Sequence, residues 1–297
     1  MKSEEASKTA EFNALFRAIE SSRKPKQSRL FNDPYSYSFL GRLRYAYFIS
    51  LLPFMGWIIP FYIDKKWPGV RASALGRTCW IDDQLCTALR EGIDQVVILG
   101  SGYDCRAYRI PGIERARVFE LDHPDTLNEK IKRLKHLSVS IRDNVTMIEV
   151  NFSRQDFANL LEKAGFKREA RSFFIWEGVM HYLSADAVDI TLRSISSLSA
   201  LGSKLVFTYI HRGLLDGKVI FGDMGYVPST LQKSGETWIF GLYPEELSDY
   251  LAKRGFILIT DIGSAVYRSR YLGSHGRHMK GFEFYRAALA EVGKADS

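Results

Sequence analysis

The chain has 297 residues, 46% of them hydrophobic, which is ample material for one large core, and no linker, low-complexity run or internal repeat divides it. Its formal charge of +7 comes without a dense basic tract interleaved with aromatic residues, which argues against nucleic acid as a partner. Cys79, Cys86 and Cys105 are odd in number and show no C-x-x-C spacing, so neither a disulfide framework nor a metal site is expected; with the polar N-terminus they point to the cytoplasm.

Residues 1–30 are polar, with a short helix expected over Ala10 to Ile19 ahead of the basic segment Arg23 to Arg29. Tyr45 to Ile63 is almost continuously apolar and approaches the length of a membrane span. Pro53, Gly56 and Pro60 interrupt it, and basic residues flank both ends (Arg42 and Arg44, then Lys65 and Lys66), so a pair of short buried or lid-forming helices is expected instead. Ala74 to Glu91 has helical spacing through Leu75, Ile81, Leu85 and Leu89, with Gly92 placed to end it. Val96 to Leu99 then reads as a strand buried on both faces that breaks into the turn Gly100-Ser101-Gly102.

Arg117 to Asp122 reads as a second strand, and Pro124 suits the first position of the helix after it. That helix has an apolar stripe of Leu127, Ile131 and Leu134, with Lys130, Arg133 and Lys135 expected on a solvated face. Val145 to Phe152 is a third strand, followed by a helix through Phe157, Leu160 and Leu161 that ends at Gly165. Ser172 to Trp176 is a fourth, with Glu177-Gly178 at its carboxyl end, and Ser184 caps the helix carrying Val188, Leu192, Ile195 and Leu198. After a fifth strand, Lys204 to Ile210, the segment His211 to Gly241 has many glycines and no period, as an insertion over a site would. Pro244 opens a further helix, Phe256 to Asp261 is a sixth strand, and Phe282 to Val292 fits either a strand or a helix. Such alternation predicts an α/β fold with a doubly wound, mostly parallel sheet, in which ligands bind beyond the carboxyl ends of the strands. Gly100, Asp122, Asn151 and Glu177 all fall at such ends and should converge on one crevice.

Two cofactor classes use a glycine turn of this kind, although a plain strand-to-helix turn carries the same residues. A dinucleotide site wants Gly or Ala at the last position of G-x-G-x-x-G, where this chain has Cys105, and Asp104 would place a carboxylate against the phosphates. The same Asp104 suits a ligand with a cationic methionine end and no phosphate, as in S-adenosylmethionine. An acid about twenty residues beyond the glycines, such as Asp122, can accept from both ribose hydroxyls in either class.

Beyond these residues the chain resembles the leucine carboxyl methyltransferase-like group of class I methyltransferases, and more closely its bacterial S-adenosylmethionine-dependent branch. The likeness runs through Arg29-Leu30-Phe31-Asn32-Asp33-Pro34, Gly76-Arg77-Thr78, Ile81-Asp82-Asp83, the stretch Val97 to Arg109, Glu120-Leu121-Asp122-His123-Pro124, Trp176-Glu177-Gly178-Val179 and Gly202 to Phe207. The resemblance implies a methyltransferase domain over residues 73–297 with S-adenosylmethionine as cofactor, behind a helical extension or lid over 1–72. By the same resemblance Arg77 pairs with the methionine carboxylate and Gly100 and Gly102 lie under the cofactor. Asp122 holds the ribose, with Glu120 a weaker match, and Glu177 lies near the methionine ammonium. Asn151 and Phe152 match an Asp-Leu pair beside the adenine; Asn replaces Asp, but its carbonyl oxygen still accepts a hydrogen bond.

The expected reaction is O-methylation of a small acceptor at a carboxylate or a hydroxyl. By the resemblance Tyr182 would orient the acceptor oxygen, and His181 would matter for a hydroxyl, which must lose a proton. The apolar stretch 45–63 would line an acceptor pocket or touch a membrane surface, so that the acceptor is lipid-like or polyketide-like. A non-catalytic cofactor-binding protein of the same fold and a nicotinamide dehydrogenase are the alternatives, the second disfavoured by Asp104 and Cys105.

Overall fold

The computed structural model describes residues 3–23, 25–26, 29–152, 157–219, 221, 237–273 and 280–293. Four helices, α1 (Ser3–Ser22), α2 (Arg44–Ser50), α3 (Met55–Lys66) and α4 (Val70–Arg90), precede β1 (Gln95–Leu99). The chain then alternates through α5 (Arg106–Arg109), β2 (Arg117–Asp122), α6 (Pro124–His136), β3 (Val145–Glu149), α7 (Phe157–Lys163), β4 (Ser172–Trp176), α8 (Ala185–Leu198) and β5 (Lys204–Ile210). It finishes with α9 (Arg212–Leu215), α10 (Leu247–Ala252), β6 (Phe256–Ile262), α11 (Ser264–Tyr271) and β7 (Tyr285–Val292).

The strands form one seven-stranded sheet in the order β3-β2-β1-β4-β5-β7-β6. β1 is buried along its whole length and pairs in parallel with β2 and β4, as its unbroken apolar run requires. Successive side chains point to opposite faces, so Val96 and Ile98 enter one core layer while Val97 and Leu99 enter the other. The first layer also takes Ala14, Leu15, Ile19 and Phe39 from the N-terminal segments, which therefore share a core with Leu75, Trp80 and Ile81 of α4.

Phe282 to Val292 resolves into β7, which runs antiparallel between β5 and β6, so the sheet is mostly parallel, as expected, with its antiparallel pairs at one edge. α11 carries no strong apolar period that would mark it in the sequence. It packs on α4 at Gly76, where an added Cβ would lie 2.4 Å from Tyr267 Cβ. Most of the insertion expected over His211 to Gly241 lies outside the described residues.

Two expectations need correcting. Lys130 does not face solvent: it lies on the inward stripe of α6 with Leu127 and Leu134, 0% exposed, and its Nζ is 2.8 Å from the equally buried Glu120. Residues 44–66 do form two short helices, but these are not buried, since Phe54 is 76% and Trp57 62% exposed. Among the described residues no helix is long and apolar enough to cross a membrane.

Candidate active site

The strand order reverses between β1 and β4, where a parallel sheet leaves a crevice beyond its carboxyl ends. Gly100 leaves β1 with φ +68°, and a Cβ there would lie 2.4 Å from Val179 Cγ2, so the turn accepts only glycine. The Gly100 and Ser101 N–H groups donate to the Leu121 carbonyl at 2.8 and 3.0 Å. Asp122, at the end of β2, accepts from the Gly102 N–H at 2.6 Å and from the His123 N–H at 2.7 Å. Turn and acid are thus one unit. Burial raises the Asp122 carboxyl above its ordinary range despite these two donors.

Glu177 closes the crevice from the end of β4. Its carboxylate accepts from Arg77 Nε of α4 at 2.6 Å and from Arg106 Nη1 of α5 at 2.8 Å. Burial works to raise this carboxyl, and the two guanidiniums overcome it, holding it down at about 2. Arg106 also binds Asp104 and donates from Nε to Asp82 Oδ1 at 2.7 Å. Asp104 is buried, which works to raise it, and Arg106 pulls it below its ordinary value. Arg109 takes both oxygens of Asp82 at 2.6 and 2.8 Å and approaches Asp33, which Arg17 of α1 also binds at 2.9 Å.

Arg77 further places its guanidinium 4.8 Å from the centre of the Tyr285 ring. Among the described residues it donates a hydrogen bond through Nε alone, which leaves its two Nη groups for a ligand carboxylate. His181 packs against Tyr182, Trp238 and Tyr285, and burial followed by the charge of Arg77 lowers it to about 3. Its Nδ1 and the Ser101 Oγ in the glycine turn are buried without a hydrogen-bond partner among the described residues. Asn151 and Phe152 follow β3 and are half-buried, with Phe152 resting on the second core layer.

The structure therefore gathers Arg77, Gly100, Gly102, Asp104, Asp122 and Glu177 at neighbouring strand ends. Glu120, the weaker ribose candidate, is not among them, because it points into the core towards Lys130. Sequence reasoning assigned no role to Arg106, Asp82, Arg109 or Asp33. All four stand inside motifs that were singled out, but nothing local says that Arg106 would serve three carboxylates.

The sequence profile described as leucine carboxyl methyltransferase matches residues 10–196. A Frankia alni protein named "Putative S-adenosyl-L-methionine-dependent methyltransferase" is 34% identical over 152 residues, 51% of this chain and 53% of that one. The chain thus spans about half the length of that relative. A Mycobacteroides abscessus protein of the same name is 28% identical over 247 residues, covering 80% of each chain. A solved structure from Thermobifida fusca, described as a "putative methyltransferase", shares the fold with a TM-score of 0.56 at 19% identity over 81% of this chain and 89% of that one. Motif order, crevice and profile agree, and the chain belongs to the leucine carboxyl methyltransferase family.

Proposed function

We propose that this chain is an S-adenosylmethionine-dependent O-methyltransferase acting on the carboxylate of a small, apolar acceptor, with residues 1–72 as an extension beside the crevice. The observation that carries the reading is the Asp122 carboxylate, fixed by two backbone N–H groups under a turn that admits only glycine. A carboxylate offers about four acceptor positions, so two remain for a pair of ribose hydroxyls. The free Nη groups of Arg77 suit the carboxylate of the cofactor's methionine end, and Glu177 and Asp104 suit its ammonium. Asn151 can accept from the adenine amine, with Phe152 beside the ring. When bound, the cofactor supplies a methyl group on a cationic sulfur.

The state of His181 supports a carboxylate over a hydroxyl acceptor. An imidazole lowered to about 3 is too weak a base to take a proton from a hydroxyl near neutral pH. A carboxylate is already ionised and needs only to be held in line, where orientation can supply about 7–11 kcal/mol of the barrier. In this reading Tyr182 orients the acceptor oxygen, with the His181 ring packed against it at 4.2 Å between centres.

Calorimetric titration with S-adenosylmethionine and S-adenosylhomocysteine tests the reading. Folded wild type should bind both, and Asp122→Ala should bind at least about tenfold more weakly, having lost a charged acceptor. Labelled methyl transfer to a panel of carboxylic acids and alcohols then separates the acceptor classes. No binding by folded wild type overturns the enzyme reading, and undiminished binding by Asp122→Ala overturns the placement of the cofactor.

A further inference from the structure

α2 and α3 form a hairpin whose outer face is exposed, with no cover among the described residues. Tyr45, Phe48, Leu52, Phe54, Trp57 and Phe61 are each more than half exposed. Pro60 and Ile63 of α3 are buried and Ile59 packs on the first core layer, while Asp64 pairs with Arg71 of α4. Phe54, at the tip between the helices, holds φ +66°, a conformation that is costly for a bulky side chain and that here accompanies the most exposed aromatic ring of the hairpin. A contiguous apolar face of this size on a folded chain marks an interaction surface.

Charge borders that face on both sides. In the last turn of α3 stand Lys65 and Lys66, the latter 5.6 Å from the Tyr62 ring centre. At the other end a cleft of about 650 Å³ opens between residues 38–45 and the last turns of α6, lined by Arg42, Arg44, Lys132, Arg133 and His136 against one acid, Glu129. Glu129 is already paired with Arg133 at 2.6 Å. Among the described residues none of Arg42, Arg44, Lys65, Lys66 and Lys132 has a carboxylate in ion-pair range. The cleft runs on into a second hollow where Phe48 and Arg44 share one wall with His136, so the apolar and basic surfaces are continuous.

We infer that this face docks on an anionic phospholipid surface, with the aromatic and aliphatic side chains of 45–62 entering the acyl boundary and the flanking cations meeting the headgroups. Uncompensated cations argue against an uncharged apolar partner, and exposed aromatic rings beside long basic side chains match the layered polarity of a bilayer interface. The inference deepens the reading of an apolar acceptor and rests on it for its purpose, since a lipid-dissolved substrate would be met at this surface.

Vesicle flotation without cofactor tests it separately from catalysis. Wild type should bind vesicles of phosphatidylcholine with roughly one-third phosphatidylglycerol at least about tenfold more tightly than pure phosphatidylcholine, with the advantage falling at high salt. Phe54→Ser/Trp57→Ser and Arg44→Glu/Lys132→Glu should each weaken binding about tenfold or more. All four positions are exposed, so the melting temperature and S-adenosylmethionine affinity should hold. Equal binding to both vesicle types, or none, overturns the inference. So does a wild-type dimer that Phe54→Ser/Trp57→Ser converts to monomer, since a second copy would then cover the face.

Discussion

Asp82, Asp104 and Glu177 converge on one guanidinium, that of Arg106, whose side chain is 4% exposed. A buried carboxylate stripped of its cation is far more costly than one exchanged for an apolar group, because its desolvation is no longer offset. Arg106→Met should therefore lower stability by about 3–5 kcal/mol, read as a shift in the urea midpoint. Arg77→Met leaves Glu177 its bond from Arg106, so its effect should fall mainly on cofactor affinity. The sequence marks Asp104 as part of the glycine-turn motif, but its main partner is not legible there. Asp104 accepts from the backbone N–H of Arg106 two residues on, a local bond, whereas the guanidinium it shares with Glu177 and Asp82 is brought there by the fold.

At the scale of elements, α6 shows how a periodic reading goes astray. Leu127, Lys130 and Leu134 follow the i, i+3, i+7 spacing of one face, yet a lysine on that face reads as solvated unless an acid waits beneath it. Glu120 of β2 is that acid, and Pro124, at the start of the helix, aims the stripe at the strand. Lys130→Met alone should cost about 3–5 kcal/mol in chemical denaturation, and Lys130→Met with Glu120→Leu should recover most of the loss, because no charge is then left buried. A double variant as unstable as the single one would show that packing, and not the unpaired carboxylate, sets the cost. The β-α alternation itself was legible because apolar runs closed by Gly or Pro are local features. The placement of α11 was not, since it depends on close packing at Gly76 of α4.

Across the whole molecule, alternating charges lead from Arg17 of α1 through Asp33, Arg109, Asp82, Arg106 and Glu177 to Arg77 of α4, tying the N-terminal segments to the crevice. Glu177 is held below its ordinary value of 4.5, at about 2, so its contribution is complete above about pH 4.5 and is lost as the pH falls towards about 2. The urea midpoint of wild type should fall over that window, and Glu177→Gln, less stable at neutral pH, should fall less steeply. The sequence by itself determined the alternation of strands and helices from β1 to β6, the glycine turn and the acids at the strand ends, because each rests on neighbours within a few residues. Tertiary structure alone decided that β7 enters antiparallel, that Lys130 is buried and that the α2–α3 face stays open. It also decided that Arg77 meets Glu177 across 100 residues of chain, since such pairings depend on which surfaces the folded sheet brings together.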